Sequence, residues 1–424
     1  MTDCPNRAGR SLVIMLSVAL GLVFGSAQYV LIVSPTLRTL LNLSAGAFGW
    51  LLGSWVGPGV IGSLVGGWLA DRGHLRRAAY GSTILLGLSY GLCALPPAYP
   101  IYLTGIALTG FSNAALATIA NVAVTRAYPL GARRALTWLQ ASIPAAVMTT
   151  PPIWAWLISR LSETTLGVQG AVRVLFIAAG VCCLLALAVI AGRPLPEANP
   201  PAKGPDEASP PRRPRSLLGW PLVMVCLFMT LHGAADNGAY LWMPDFVERR
   251  FNPSPFPAAW ILSGFSGAYL VGRLALVQAP DRWRDLTFVT IAAGGGATFF
   301  VIAFRSTSQY SLAALYVVAG LFMSVDYPSI LSHIGQTFPH ATGRVMAITS
   351  SVSQGVSVFL PPLMGYVGEL TGTMVAGMMI PAAMLGTLSV SAFLWRRHLD
   401  GREVAAGNAA SGAPLRSGVE PGKP

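Results

Sequence analysis

The chain has 424 residues, of which 53% are hydrophobic and 10% charged, with a mean hydropathy of +0.58. That balance excludes an ordinary soluble globular domain. The formal net charge of +12 raises a nucleic-acid partner, but the charges lie between the apolar runs and form no basic patch, so nucleic acid is set aside.

The first run, "SLVIMLSVALGLVFGSAQYVLIV" (11–33), carries no charge and exceeds the roughly 20 apolar residues that cross a hydrocarbon core about 30 Å thick. Lipid leaves no water for unpaired backbone groups, so a run this long and continuous must be helical; barrel strands are shorter and alternate. Arg7 and Arg10 precede it as they would in a signal peptide, yet its length and the spans that follow predict a retained first helix. Further spans are expected near 47–70, 78–96, 101–125, 135–158 and 173–192. Polar residues inside them are few: Gln28 and Tyr29 in span one, and Asn113 and Asn121 about two turns apart in span four.

Residues 193–216, "RPLPEANPPAKGPDEASPPRRPRS", are rich in proline and charge and cannot pack a core, so they read as a flexible linker. Six more spans are expected near 217–246, 258–279, 286–304, 310–333, 345–367 and 373–395. This divides the chain into an N-terminal half (1–192), the linker, a C-terminal half (217–399) and a disordered tail (400–424). With the N-terminus inside, 22 of the 28 lysines and arginines fall in inner segments, the asymmetry of the positive-inside rule. The expectation is an all-α membrane protein of twelve transmembrane helices in two six-helix halves, with both termini cytoplasmic. The arginine-heavy composition points to a bacterial inner membrane.

The turn after span two reads "GGWLADRGHLRR" (66–77). It resembles the signature loop of the major facilitator superfamily, approximately G-x-L-A-D-R-x-G-R-R. Gly67, Leu69, Ala70, Asp71 and Arg72 match in order, Gly73 comes one place early, and Arg76 and Arg77 resume the basic run. The resemblance implies a cytoplasmic latch in which Asp71 faces the start of span eleven near Val345. It also implies that spans one, four, seven and ten line a central cavity. In the second half, "AAWILSGFSGAYLVGRLAL" (258–276) and the stretch from 320 to 372 resemble the fucose-permease-like sugar-transporter branch. So does "GAAD" followed by Trp242-Met243-Pro244.

The candidate chemistry sits in the stretch "LHGAADNGAYLWMP" (231–244). His232, Asp236 and Tyr240 are spaced four apart and share one helical face. Asp326 is the other acid expected inside a span. Because a charge at membrane depth costs several kcal/mol, such residues face a wet cavity or one another and mark ion or substrate paths. Burial disfavours a charged carboxyl and a charged imidazole opposes that, so His232, Asp236 and Asp326 are expected to couple protons. Gln28, Tyr29, Asn113, Asn121, Tyr240 and Trp242 are expected to line a cavity for a small-molecule substrate. Arg273 is expected to snorkel to the cytosolic interface, and His333 to be solvated.

With no P-loop, metal-ligand cluster or nucleophile constellation, an enzyme is not expected, and energy must come from a gradient. No cofactor or metal is expected. The reading is a secondary transporter moving a small organic solute by alternating access, proton-coupled, as a monomer in the lipid bilayer. The absence of glycine from Ala132 to Leu166 favours symport over an efflux antiporter. A transporter-like sensor that moves nothing is the further alternative.

Overall fold

A computed structural model describes residues 7–127, 132–192, 195, 219–251, 254–276, 285–338 and 342–411. These form helices and turns with no strand among them. In the first half come α1 (Arg7–Leu40), α2 (Ala45–Asp71), α3 (Leu75–Cys93), α4 (Tyr99–Ala127), α5 (Ala132–Ser162) and α6 (Gly167–Ala191). The second half holds α7 (Trp220–Arg250), α8 (Pro255–Leu276), α9 (Asp285–Arg305), α10 (Gln309–Met323), α11 (Asp326–Thr337), α12 (Thr342–Ser357), α13 (Leu360–Thr371) and α14 (Met374–Ser411). Among the described residues, nine helical stretches are long and apolar enough to cross a membrane. Large apolar side chains such as Leu64, Leu88, Leu184, Val271 and Val390 are exposed, as an acyl-chain environment allows.

Two spans differ from expectation, because spans ten and eleven are each two helices. Span ten breaks after Met323. Pro328 lacks the N–H that would bond back to Ser324, and its ring clashes there, so α11 starts anew at Asp326. Span eleven breaks at Val358–Phe359, ahead of Pro361 and Pro362 in the first turn of α13. Such breaks are tolerated at membrane depth only where the freed backbone is buried in protein or lines a cavity. At the other end of the chain, α14 continues to Ser411, past Asp400 where a disordered tail is expected; the alanine-rich "REVAAGNAAS" has the propensity to extend a helix. The rest of the tail and nearly all of the linker lie outside the described residues.

Among the described residues the halves meet where α2 packs on α13, toward the side that carries the α1–α2 turn, here the far side, and where α5 packs on α8; the starts of α1 and α7 and the end of α6 lie on the opposite side, here the linker side. Gly49, Gly53 and Gly57 make a small-residue stripe on α2 that presses on the break in span eleven. A Cβ at Gly53 would lie 2.6 Å from the Val358 carbonyl oxygen, and one at Gly49 2.6 Å from Pro362 Cα. Small residues let backbones approach this closely where no hydrophobic effect drives helices together. Glu369 on α13 accepts from the Gly46 N–H at 3.0 Å, binding the start of α2, where helix N-termini favour negative charge. Elsewhere α5 packs on α8, with Met148 against Gly267.

The loop between α2 and α3 explains the early glycine of its motif. Gly73 has φ +80°, a left-handed conformation that favours glycine. The His74 N–H donates to the Leu69 carbonyl and the Gly73 N–H to Ala70, both at 3.0 Å, which is the Schellman closure of a helix end. Arg126 from α4 donates to the Ala70 carbonyl at 2.9 Å, and the Arg72 guanidinium covers the Trp68 ring at 3.9 Å. Arg76 donates to the Tyr80 hydroxyl at 2.9 Å, and Arg77 is exposed. Asp71 ends α2, but its side chain lies outside the described residues, as do those preceding Val345.

Replacing Gly53 by leucine should overpack the α2–α13 contact and destabilise the fold by about 1–3 kcal/mol. Thermal unfolding of the purified protein reads this as a lowered Tm, and an unchanged Tm contradicts the close approach.

Candidate functional site

Helix α7 runs unbroken through Pro244 and carries His232, Asp236 and Tyr240 on one stripe. Four residues turn an α-helix about 40° beyond one full turn, so successive members of the stripe swing round and meet different neighbours. His232 meets α11: its Nδ1 lies 3.0 Å from Asp326 Oδ1, with both side chains buried. Asp236, half-buried, accepts a hydrogen bond from the Tyr269 hydroxyl of α8 at 3.0 Å. Tyr240 crosses to the other half and donates to Gln28 Oε1 on α1 at 2.7 Å. Five of the expected site residues are thereby brought together: His232, Asp236, Asp326, Tyr240 and Gln28.

The break in span ten places Asp326. As the first residue of α11, it accepts the Tyr327 N–H at 2.8 Å on Oδ1, at a helix end whose dipole favours negative charge. Its other oxygen, Oδ2, is buried and has no hydrogen-bond partner among the described residues. An unpartnered buried carboxylate oxygen is costly unless it binds a proton or a donor. The His232 ring lies 5.6 Å from the Tyr327 ring, so the imidazole is held between an aromatic face and the acid.

Other expected residues are placed elsewhere. Tyr29 turns into the first half: its hydroxyl donates to Val172 O at 2.9 Å and its ring packs 5.2 Å from Trp154 and 4.9 Å from Phe176. Trp242 is fully buried, donates to Pro361 O at 3.1 Å and meets Phe48 edge-on at 5.1 Å. It packs between α7, α2 and α13. Asn113 is buried and donates back to Thr109 O at 3.1 Å; Asn121, half-buried, lies two turns further along α4. Neither forms a described contact with the acids. His333, expected in solvent, is buried on α11, two turns from Asp326 on the same face.

Sequence reasoning missed a second charged cluster, nearer the far side. Arg38 on α1 forms an ion pair with Asp245 on α7, and Arg249 donates to the other Asp245 oxygen at 2.8 Å. The Asp245 side chain is 0% exposed and that of Arg38 11%. The Arg38 guanidinium also lies 5.3 Å from the Phe48 ring. Above the pair is a cavity of about 370 Å³ whose lining includes Arg38, Phe246, Arg249, Arg250 and Glu369. Arg38 and Arg249 looked like loop charges because α1 runs to Leu40 and α7 to Arg250, several residues beyond the apolar runs, and Asp245 falls at the very end of its expected span. The one available signal was Asp245 directly after an apolar Trp-Met-Pro step.

The arrangement is two layers on the contact between the halves. Arg38–Asp245 closes the far side, and the His232–Asp326 and Asp236–Tyr269 pairs lie deeper, beside the Tyr240–Gln28 bridge. The ion pair between the halves lies toward the far side, so the closed layer is that of Arg38 and Asp245.

A family model of the major facilitator superfamily matches residues 15–252 and 225–419. The chain belongs to this superfamily. It is a multi-pass membrane transporter and not an enzyme. It is 27% identical over 354 residues to the 3-(3-hydroxy-phenyl)propionate transporter of Escherichia coli (strain K12), covering 81% of this chain and 80% of the relative. Its fold is similar to the crystal structure of a D-xylose–proton symporter, with TM-score 0.73 and 16% identity over 90% of this chain and 96% of that one. It is also similar to a bacterial homolog of the human lysosomal transporter Spinster in an inward-facing, occupied conformation, with TM-score 0.71 and 14% identity over 93% and 98% of the two chains.

Removing the carboxylate in Asp245→Asn should weaken the far-side closure. In a cysteine-free background, Gln28→Cys should react faster with an impermeant maleimide applied from the far side when Asp245→Asn is added, by about tenfold if some 1.4 kcal/mol of closure is lost. Unchanged labelling contradicts the assignment of the pair as a closing contact.

Proposed function

We propose that this transporter is a proton-coupled symporter of a small organic solute, working as a monomer in the bacterial inner membrane with both termini cytoplasmic. The observation that carries the reading is the buried pairing of His232 with Asp326. It lies next to a second acid, Asp236, whose partner is a neutral hydroxyl. Four groups that can hold or pass a proton meet where α7, α8 and α11 converge, one helical turn from the Tyr240–Gln28 contact between the halves.

A proton in this cluster changes what the two halves gain by closing. Closing the halves around a solute strips water from the cluster, and doing so while both acids are charged is costly. Protonation removes that cost, so occupancy by a proton and closure around a solute become thermodynamically linked, and the linkage is reciprocal. The far-side latch supplies the opposing contact: with it closed, exchange would run through the linker side, which in the proposed orientation is the cytoplasm. A relative whose name gives an aryl-bearing carboxylate as substrate supports a small organic solute, and a fold neighbour described as a proton symporter supports coupling to protons.

The test is a proteoliposome assay with a pH-sensitive dye inside and candidate sugars and carboxylates added outside. Symport acidifies the lumen as solute enters, whereas efflux antiport changes pH in the opposite direction. Asp236→Asn and Asp326→Asn should each reduce solute-driven proton movement at least about tenfold while leaving solute counterflow measurable. Full proton movement in both variants contradicts the reading.

A further inference from the structure

We propose that Arg273 is the docking cation for a carboxylate on the transported solute, and that this carboxylate enters the site together with the proton.

Arg273 lies on α8 one turn beyond Tyr269 and two turns beyond Ser266, both buried. That face of α8 is turned toward Asp236 through the Tyr269 hydroxyl. Its guanidinium sits 5.4 Å from the centre of the Tyr269 ring. Its side chain is half-buried. Its Nε is buried with no hydrogen-bond partner among the described residues, and it forms no ion pair among them. Yet it is within electrostatic reach of His232, Asp236 and Tyr327.

Several other arginines in the helices have partners. Arg38 and Arg249 share Asp245, Arg126 and Arg173 donate to helix-end carbonyls, and Arg396 donates to Thr287. Arg273 departs from this pattern. A cation left without a counter-charge among packed helices is costly, and two acids lie close by without pairing to it. Asp326 is occupied by His232, and Asp236 by Tyr269. The open position therefore suits an anion from outside the chain. A guanidinium presents a rigid fork that matches a carboxylate in two parallel hydrogen bonds, which a lysine cannot reproduce.

The rings beside this stretch of α8 are mostly packed: Phe265 stacks on the fully buried Tyr316 at 4.4 Å, with Tyr269 5.1 Å from the Phe265 ring. Tyr240, half-buried and 6.3 Å from the Phe265 ring, is the ring left partly open beside the acids. An aromatic face favours an apolar or aromatic body over a polyhydroxylated one. The class is a small monocarboxylate with an apolar body.

Charge then accounts for coupling. With the imidazole charged, His232, Arg273, Asp236 and Asp326 sum to neutral. A solute carboxylate brings the set to one negative charge, and one proton, on Asp236 or on the free oxygen of Asp326, restores neutrality. An anion without its proton meets two buried carboxylates. A proton without its anion leaves an excess of positive charge. Each therefore favours the other's binding.

This inference rests on the reading of the α7–α8–α11 cluster as the transport site, and its test separates the two. Purified full-length protein is titrated calorimetrically, without any gradient, with 3-(3-hydroxyphenyl)propionate, benzoate and 3-phenylpropionate, with the neutral amide of the first, and with D-xylose. Proton uptake is followed in weakly buffered solution. The acids should bind and take up about one proton each. The amide should bind at least about tenfold more weakly. Arg273→Gln should lose about a hundredfold in acid affinity, with Arg273→Lys intermediate, at a Tm close to wild type. Amide binding within threefold of the acid, acid binding to Arg273→Gln within threefold of wild type, or binding of D-xylose with no acid bound overturns the proposal. The acid–amide comparison in the wild-type protein holds even if a variant fails to fold. Acid binding that depends on Arg273 but takes up no proton would sink proton coupling while leaving the docking role intact.

Discussion

A carboxylate inside a membrane protein must be compensated within a few ångströms, because the hydrocarbon around the bundle offers no water to do it. This constraint organises the second half of the molecule. Asp326 is answered by an imidazole and a helix N-terminus, Asp236 by a tyrosine hydroxyl, and Asp245 by two guanidiniums. Each answer comes partly from a different helix, so the acids determine which helices must stay in register. The proline breaks in spans ten and eleven serve the same end. They bring a helix start to Asp326, and they place the Pro361 carbonyl where Trp242 donates to it.

The three acids differ in what moving them would cost. Asp245 is paired to the opposite half through Arg38, so separating the halves on the far side means exposing or re-pairing two charges. Asp236 and one oxygen of Asp326 are satisfied by groups of their own half, and among the described contacts Tyr240–Gln28 and Met148–Gly267 link their neighbourhood to the other half. The inner cluster can thus change protonation while the second half moves as a body. The outer pair must break for the far side to open. On the proposed reading the inner cluster titrates and the latch parts, a division that alternating access would use.

Much of this was legible in the sequence and some was not. Twelve apolar runs and a charged, proline-rich interval predict two six-helix halves, because span length and backbone satisfaction leave few alternatives. The one-face stripe of His232, Asp236 and Tyr240 follows from helical geometry alone. Which neighbours the stripe meets does not, since that depends on how far each helix is rotated in the bundle. Tyr29 and Trp242 show the limit. Each is one or two residues from a site residue, which turns it about 100–200° round its helix and into packing. Arg38, Asp245 and Arg273 were hidden for another reason: near the ends of apolar runs, a charge serving the interior and one fixing topology look the same.

Infrared difference spectroscopy of the reconstituted protein, stepped across about pH 5 to 8 where histidine and perturbed carboxyls titrate, tests the central claim most directly. The account predicts a protonated-carboxyl band that appears at low pH in the wild-type protein and is diminished in Asp236→Asn or Asp326→Asn. A spectrum without such a band, or with one that survives both substitutions together, would contradict it.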